Sequence, residues 1–243
     1  MATPRDERLS YLIKKAERVV IYDEEMWGLL RRMRERALQI LRSLERVGLR
    51  GAAYGSVARG DVDERSDLDI VLLDPPSSPS MVEELVSSSV GPPMMRKIVQ
   101  ANPQGPIKVY LYITEREVVS FPVSRLRERE EEFYRFGGMV RVGELEGGVR
   151  VPGVNKSLRL ILPTEEGHAE VPVVGMESHV AEILGISQQT VEERVRVLTK
   201  RRFEGRSGLY VDESVPLGIP LEEALSDLAR RKKGVRNRLE GMF

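Results

Sequence analysis

Two aspartates, Asp67 and Asp69, stand two residues apart at the start of the aliphatic run 68–73, which ends before Pro75. The run is rich in Leu, Ile and Val and predicts a strand, on which alternate side chains point to the same face. Two carboxylates on one face can share a divalent ion, and Mg²⁺ prefers oxygen ligands of this kind. The pair is therefore the leading candidate for a metal site, with Mg²⁺ or Mn²⁺ as the cofactor.

A glycine-serine turn lies upstream of the two aspartates. A short predicted strand, residues 52–54, leads into Gly55 and Ser56, and residues 57–61 predict at least one helical turn. The free N–H groups at the start of such a turn would point at an anion. Gly55 lets the backbone approach a ligand closely, and the Ser56 hydroxyl can add one donor. With the aspartates, this turn indicates a site for a nucleoside triphosphate.

The two motifs in this order and spacing carry a family resemblance. Gly55-Ser56-Val57-Ala58-Arg59-Gly60 followed by Ser66-Asp67-Leu68-Asp69 closely resembles the signature of the DNA polymerase beta-like nucleotidyltransferase superfamily. The resemblance is tight over residues 50–73 and loose as far as Phe121. It implies a mixed α/β nucleotidyltransferase domain of α+β class, in which Gly55 and Ser56 contact the triphosphate and the catalytic Asp67 and Asp69 bind Mg²⁺. It also implies a third carboxylate on a later strand.

The later strand that the pattern predicts is 107–113, and its polar face carries Lys108, Tyr110 and Tyr112 instead of a carboxylate. Glu115 would serve only if the strand were shifted in register. Without a third carboxylate, the metal that activates the nucleophile is poorly held. The sequence thus leaves two possibilities open: turnover with a ligand supplied from elsewhere, or nucleotide binding without turnover.

The amino-acid composition limits the functions that the chain can have. The chain has 243 residues, no net formal charge and a pI of about 6.8, so any attraction for nucleic acid must be local. The absence of cysteine excludes disulfides and thiolate chemistry, and His168 and His179 are too far apart in sequence to suggest a histidine metal site. The sequence shows no signal peptide and no apolar run of membrane-spanning length, so a cytoplasmic chain without membrane contact is expected. The high charged fraction and the preference for arginine over lysine weakly favour a thermophilic origin.

Three consecutive segments are predicted: a nucleotidyltransferase-like domain over 1–136, a β-rich connection over 137–175, and a small winged helix-turn-helix-like domain with a C-terminal helix over 176–243. Helical periodicity predicts helices over 23–47, 81–90, 94–100, 125–136 and 220–233. Two strands, 158–162 and 169–174, are predicted to form a hairpin in the connecting segment.

The last segment contains a run that resembles a helix-turn-helix, from Ala181 to Val195, with Gly185 at the turn and Ser187 capping the second helix. Residues 204–208 are predicted to turn a wing hairpin. The side chains expected to face DNA are Gln188, Gln189, Thr190 and Arg194.

The predicted DNA-facing helix also carries two acidic residues, Glu192 and Glu193. These carboxylates would repel phosphate, so protein contact or homodimer packing remains an alternative role for the motif.

Two functions of different classes follow from these patterns. The first is a Mg²⁺-dependent nucleotidyltransferase that transfers NMP from a nucleoside triphosphate to a hydroxyl of RNA, protein or a small molecule. The second is a DNA-binding regulator whose nucleotide-binding nucleotidyltransferase domain is catalytically weak or inactive. The intact aspartate pair favours the first, and the winged helix and the absent third carboxylate favour the second.

Overall fold

The computed structural model describes residues 4–75, 78–205 and 208–240. The helices are α1 (Pro4–Lys14), α2 (Glu24–Arg46), α3 (Ser56–Arg59), α4 (Pro79–Ser89), α5 (Glu128–Gly137), α6 (Val142–Glu146), α7 (Glu177–Leu184), α8 (Gln188–Glu204), α9 (Leu221–Arg231) and α10 (Lys233–Leu239). The strands are β1 (Arg18–Ile21), β2 (Gly51–Tyr54), β3 (Leu68–Leu72), β4 (Met95–Gln100), β5 (Ile107–Tyr112), β6 (Glu117–Pro122), β7 (Met139–Val140), β8 (Gly153–Val154), β9 (Arg159–Thr164), β10 (Gly167–Pro172) and β11 (Val211–Ser214). This mixture of helices and sheets fits the predicted α+β class.

The chain folds as two compact units, each assembled from separate stretches of sequence. Unit 1 comprises the described parts of 1–36, 53–66 and 131–207, and unit 2 those of 37–52, 67–130 and 208–243. These boundaries differ from the three consecutive segments predicted from the sequence. Contacts within each unit join residues far apart in the chain, which a consecutive division cannot represent.

Unit 2 is built on a sheet with the strand order β11-β4-β5-β6-β3. β3 and β6 are parallel, and the other neighbours are antiparallel. One face of this sheet is apolar and buried, as Ile70 of β3, Ile98 of β4 and Val109 of β5 illustrate. Because side chains alternate along a strand, the residues between these positions lie on the opposite, more polar face.

Two strands of this sheet differ from the sequence-based expectation. Residues 94–100 were predicted to be helical, but form β4, in which Arg96, Ile98 and Gln100 are buried and alternate with more exposed residues. The alternation of buried and exposed residues was missed because Arg96 is one of the buried positions, and arginine is usually expected at the surface. In β4, Arg96 forms an ion pair with Glu83 at 2.7 Å. The strand β6 was not predicted at all.

Unit 1 contains a second sheet, with the order β1-β10-β9-β8. Its hairpin β9–β10 confirms the two strands predicted on either side of a turn, with Gly167 paired to Thr164. Its core includes Leu12 of α1, Leu160 and Leu162 of β9, and residues of α7 and α8 such as Val180 and Val191. The helix-turn-helix run therefore packs into the core of unit 1 through apolar residues of both helices.

The two helices of the predicted helix-turn-helix are present. α7 ends at Gly185, which has the left-handed φ of 63°, and the Ser187 side chain accepts from the N–H of Thr190 at the start of α8. The prediction of a wing hairpin is wrong. α8 continues to Glu204, and β11 pairs with β4 of unit 2, with Val211 opposite Gln100. The predicted wing residues Arg206 and Ser207 lie outside the described residues, and the winged form of the motif is not supported.

A buried carboxylate fixes the start of α8. Glu132 of α5 is only 5% exposed and accepts hydrogen bonds from the Ser187 N–H (2.8 Å), the Ser187 hydroxyl (2.6 Å) and the Thr190 hydroxyl. Burial alone would raise the pKa of Glu132, but these hydrogen bonds hold it below its usual value. The charged form of Glu132 is thus the one that stabilises unit 1.

We expect Glu132→Gln to lower the free energy of unfolding at neutral pH by about 1.5–3 kcal/mol, the worth of hydrogen bonds to a charged group. Because the folded-state pKa is depressed, this stability is present above the unfolded-state pKa and is lost as pH falls through the folded-state value. The difference between wild type and variant should therefore shrink below about pH 4.5. Urea unfolding across pH measures it. Exposed Glu131→Gln is the matched control, and a difference that stays constant with pH would contradict the charged cap.

Candidate functional site

Asp67 and Asp69 lie on either side of buried Leu68 at the start of β3. Asp67 is exposed just before the strand, and Asp69 is half-buried within it. The Leu68 N–H donates to the Arg116 carbonyl at 2.7 Å, which fixes the backbone at this point. With Leu68 buried on one face, the alternation of the strand assigns both aspartates to the other.

The approach to Asp67 is a hydrogen-bonded turn that belongs to unit 1. The Ser66 hydroxyl accepts from the Asp63 N–H at 2.9 Å, and the Asp63 carboxylate accepts from the Arg65 N–H at 2.8 Å. The signature serine Ser66 therefore has a structural explanation, since it closes the turn that leads into the aspartates.

The strand next to β3 shows which residues face the aspartates. In the parallel pairing of β3 with β6, Asp69 is opposite Val118 and Val71 is opposite Ser120. Glu117, the first residue of β6, is opposite Leu68 and so belongs to the face away from Asp69. Valine and serine thus occupy the β6 positions on the side of Asp69.

The next strand, β5, places two tyrosines on the same face as Asp69, since Tyr112 is opposite Val118 and Tyr110 is opposite Ser120. Burial and, to a smaller extent, the Asp69 carboxylate raise the pKa of Tyr110 to about 12. The pKa of Tyr112 is also raised, first by burial, with contributions from the carboxylates of Asp69 and Asp67. The sequence pattern identified this polar face of β5 but gave its tyrosines no role.

The superfamily resemblance implied a third carboxylate on a later strand, for which the sequence offered residues 107–113 and, with a shifted register, Glu115. The polar face of β5 carries Lys108, Tyr110 and Tyr112, as predicted, and Glu115 is exposed in the bend that follows. Within the described residues, no group of three or more Asp, Glu or His side chains is close enough to hold a metal. On β3, the candidate metal ligands are thus limited to Asp67 and Asp69, the two carboxylates that strand alternation assigns to one face. This pair fits Mg²⁺, which proteins commonly bind through one or two carboxylates together with substrate phosphates.

The Gly55–Ser56 turn belongs to unit 1. Gly55 has φ 83°, a conformation that favours glycine, and no described atom beyond its chain neighbours lies within 4 Å of the position that a Cβ would occupy there. Its N–H donates to the Gly138 carbonyl at 2.9 Å, and its carbonyl accepts from the N–H groups of Ala58 and Arg59. The Gly55 N–H is therefore engaged, and donors for a phosphate at this turn must come from Ser56 and the residue after it.

Arg59 of the same signature is a buried structural residue, only 6% exposed. Its guanidinium forms a two-pronged ion pair with Asp61, through Nε at 2.9 Å and Nη2 at 3.0 Å, and also donates to the Gly137 carbonyl. Burial raises the pKa of Asp61, and the charge of Arg59 opposes that rise. This ion pair stabilises the segment after α3, and the Arg59 guanidinium is occupied by partners within unit 1.

The proposed DNA-facing residues divide into two groups. Gln188 and Gln189 are exposed, and Gln188 donates to Glu192 at 2.8 Å. Thr190 is buried and bonded to Glu132, so its prediction as an outward residue is wrong.

Arg194 was also expected to face DNA, but it packs against two aromatic rings. Its guanidinium carbon lies 4.9 Å from the ring centre of Phe133 and 5.9 Å from that of Phe136. Burial, followed by the nearby charge of Arg201, lowers the pKa of Arg194. The prediction that Arg194 faces outward is wrong, because the aromatic residues of α5 cover its guanidinium.

His168 of β10 received no role from the sequence and is a satisfied core residue. Its Nδ1 lies 2.7 Å from the oxygen of the Tyr22 hydroxyl, and the single proton of that hydroxyl is donated to the Gly60 carbonyl at 2.9 Å. Its Nε2 lies 3.3 Å from the carboxylate of Glu170. These bonds link the first and last parts of unit 1.

Residues 34–133 match the family model described as Nucleotidyltransferase domain. The match contains Gly55, Ser56, Asp67 and Asp69, and it supports the resemblance to the nucleotidyltransferase superfamily and the general chemistry of NMP transfer. No curated protein and no solved structure gave a significant match. Within the part of the chain that the structure describes, no helix has the length and apolar character needed to cross a membrane.

We expect Arg59→Met to lower the free energy of unfolding by about 3–5 kcal/mol, because it leaves the buried Asp61 carboxylate without its partner. The double variant Arg59→Met/Asp61→Asn should be less destabilised than the single one, since it removes the unpaired charge. Urea unfolding of the variants measures both, with exposed Arg65→Met as the control. Equal loss in the single and double variants would contradict the role assigned to the pair.

Proposed function

We propose that this protein is a Mg²⁺- or Mn²⁺-dependent nucleotidyltransferase that transfers NMP from a nucleoside triphosphate to a hydroxyl acceptor. The observation that carries the proposal is the pair Asp67 and Asp69, held on one face of β3 by the burial of Leu68 and Ile70. The nucleotidyltransferase match over residues 34–133 supports the same chemistry.

Asp67 and Asp69 would hold the metal ion and orient the triphosphate through it. A divalent ion bound there supplies charge that polarises the α-phosphate and stabilises the leaving pyrophosphate. The acceptor oxygen forms a bond to the α-phosphorus, the bond from that phosphorus to the bridging α–β oxygen breaks, and the hydroxyl proton passes to solvent. The sheet sets the backbone positions of both residues before the reaction, which limits the reorganisation needed as the charge moves.

Gly55 and Ser56 are proposed to contact the phosphates, as the resemblance implies. Two features of the turn support this role: the open space beside Gly55 and the Ser56 hydroxyl, which can donate one hydrogen bond. RNA, protein side chains and small molecules are the three classes of acceptor that carry such a hydroxyl, and the experiment below separates them.

We expect Asp67→Asn and Asp69→Asn each to reduce label transfer by at least about 100-fold, the scale on which losing one preorganised electrostatic group slows an enzyme. The assay offers four α-labelled nucleoside triphosphates with Mg²⁺ or Mn²⁺ to separate pools of RNA, protein and small-molecule acceptors. Asp74→Asn, in the exposed bend after β3, is the matched control and should keep wild-type activity. Transfer that persists in both site variants would refute the assignment.

A second function is favoured by the residues of β6 that face Asp69. Val118 and Ser120 occupy those positions, and within the described residues neither β6 nor β5 beyond it places a carboxylate on the face of Asp69. The alternative is a DNA-binding regulator that binds nucleotide without turnover, and exposed Gln188 and Gln189 are its remaining candidate DNA contacts. Nucleotide-dependent DNA retention, with no label transfer by the wild type, would favour it over the enzyme.

A further inference from the structure

The polar face of the unit 2 sheet carries an aromatic pair in register with the aspartates. Val118 of β6 is opposite Asp69 on one side and opposite Tyr112 on the other. Ser120 is likewise opposite Val71 and Tyr110. Directly paired residues of neighbouring strands point to the same face, so Asp69, Val118 and Tyr112 form one row across the sheet.

The β6 residues between the aspartates and the tyrosines carry short side chains. Val118 and Ser120 are small and buried, and the Ser120 hydroxyl donates to the Ile70 carbonyl at 3.2 Å. Tyr110 and Tyr112 are larger and only half-buried. The β6 residues therefore form a floor, with carboxylates on one side and phenol rings on the other.

The separation across the row suits one nucleoside. Asp69 and Tyr112 stand two strands apart, about 10 Å between their backbones, which is twice the usual spacing of neighbouring strands. A nucleotide whose phosphates are held at the aspartates would extend its sugar and base across this floor. The first large side chain that it meets in this row is Tyr112.

Beyond the tyrosines, the charged residue opposite Tyr110 is already paired. Lys97 of β4 is opposite Tyr110 and forms an ion pair with Asp212 of β11 at 3.1 Å. The tyrosine rings thus offer an aromatic surface, and this neighbouring lysine is held by a carboxylate. Aromatic rings bind bases by stacking, with little dependence on base identity, because every base has a π-face.

We propose that Tyr112, supported by Tyr110, is the surface on which the nucleoside ring of the bound nucleoside triphosphate stacks. This inference rests on the proposed function, because it takes the phosphates to be held at Asp67 and Asp69. It assigns a base-contacting role to β5, whose polar face has no carboxylate. It also implies broad base tolerance, since stacking supplies affinity without reading hydrogen-bonding groups.

The test compares two ligands in the presence of Mg²⁺: α,β-methylene nucleoside triphosphates, which resist cleavage, and inorganic tripolyphosphate, which has no nucleoside. Titration calorimetry should show that Tyr112→Ala weakens the binding of the nucleotides by about 5- to 150-fold, which is the range that base–aromatic stacking contributes. Tyr112→Phe keeps the ring and should remain within about twofold of wild type. Tripolyphosphate affinity should be unchanged in both variants. Tyr11→Ala, a truncation on α1 of unit 1, is the matched control.

Three results would overturn the inference: unchanged nucleotide affinity in Tyr112→Ala, an equal loss of nucleotide and tripolyphosphate affinity, or a raised acceptor KM alone. The last would assign the ring to the acceptor. The outcome is separable from that of the proposed function. If the wild type transfers label and Tyr112→Ala keeps its nucleotide affinity, only the stacking role is refuted. If nucleotide binding depends on Tyr112 but the wild type transfers no label, only the proposed enzymatic function is refuted. If the wild type binds no nucleotide, both proposals are refuted.

Discussion

Leu68 and Ile70 are almost completely buried, and because neighbouring side chains of a strand point to opposite faces, their burial holds Asp67 and Asp69 together on the other face. The same alternation in β5 turns Tyr110 and Tyr112 toward that face. The geometry of the candidate site in unit 2 thus depends on the apolar side of its sheet. Turning the aspartates away would expose the buried residues of β3 to water, at a cost of about 1.5–3 kcal/mol for each large apolar side chain.

Unit 1 uses its buried charges for a different purpose. Arg59 is committed to Asp61, Glu132 accepts three hydrogen bonds at the start of α8, and Arg194 packs against aromatic rings. Each group is a type that sequence motifs associate with ligands, yet each is engaged by neighbours within the unit: Arg59 and Glu132 through hydrogen bonds, and Arg194 through aromatic rings. A buried ionised group is tolerated only when it is paired or hydrogen-bonded, so its neighbours in space decide whether it can serve a ligand.

The patterns that were predicted well share a local cause. The helix α2, the strand β3 and the β9–β10 hairpin follow from apolar periods that each segment carries by itself. The errors arise where partners distant in sequence decide the structure. β4 was read as a helix because Arg96 is buried against Glu83 and carbonyl oxygens of a later segment. The prediction of a wing hairpin failed because α8 continues to Glu204 and β11 pairs with β4.

The sequence by itself determined the aspartate pair, the glycine-serine turn and the polar face of β5, because residue type and strand period are local properties. Only the tertiary structure decided which residues share that face across strands. Register places Val118 and Ser120 beside Asp69, turns Glu117 to the other face, and brings Tyr112 into the row of Asp69. Register depends on hydrogen bonds between separate strands, so it cannot be read from any one strand of the sequence.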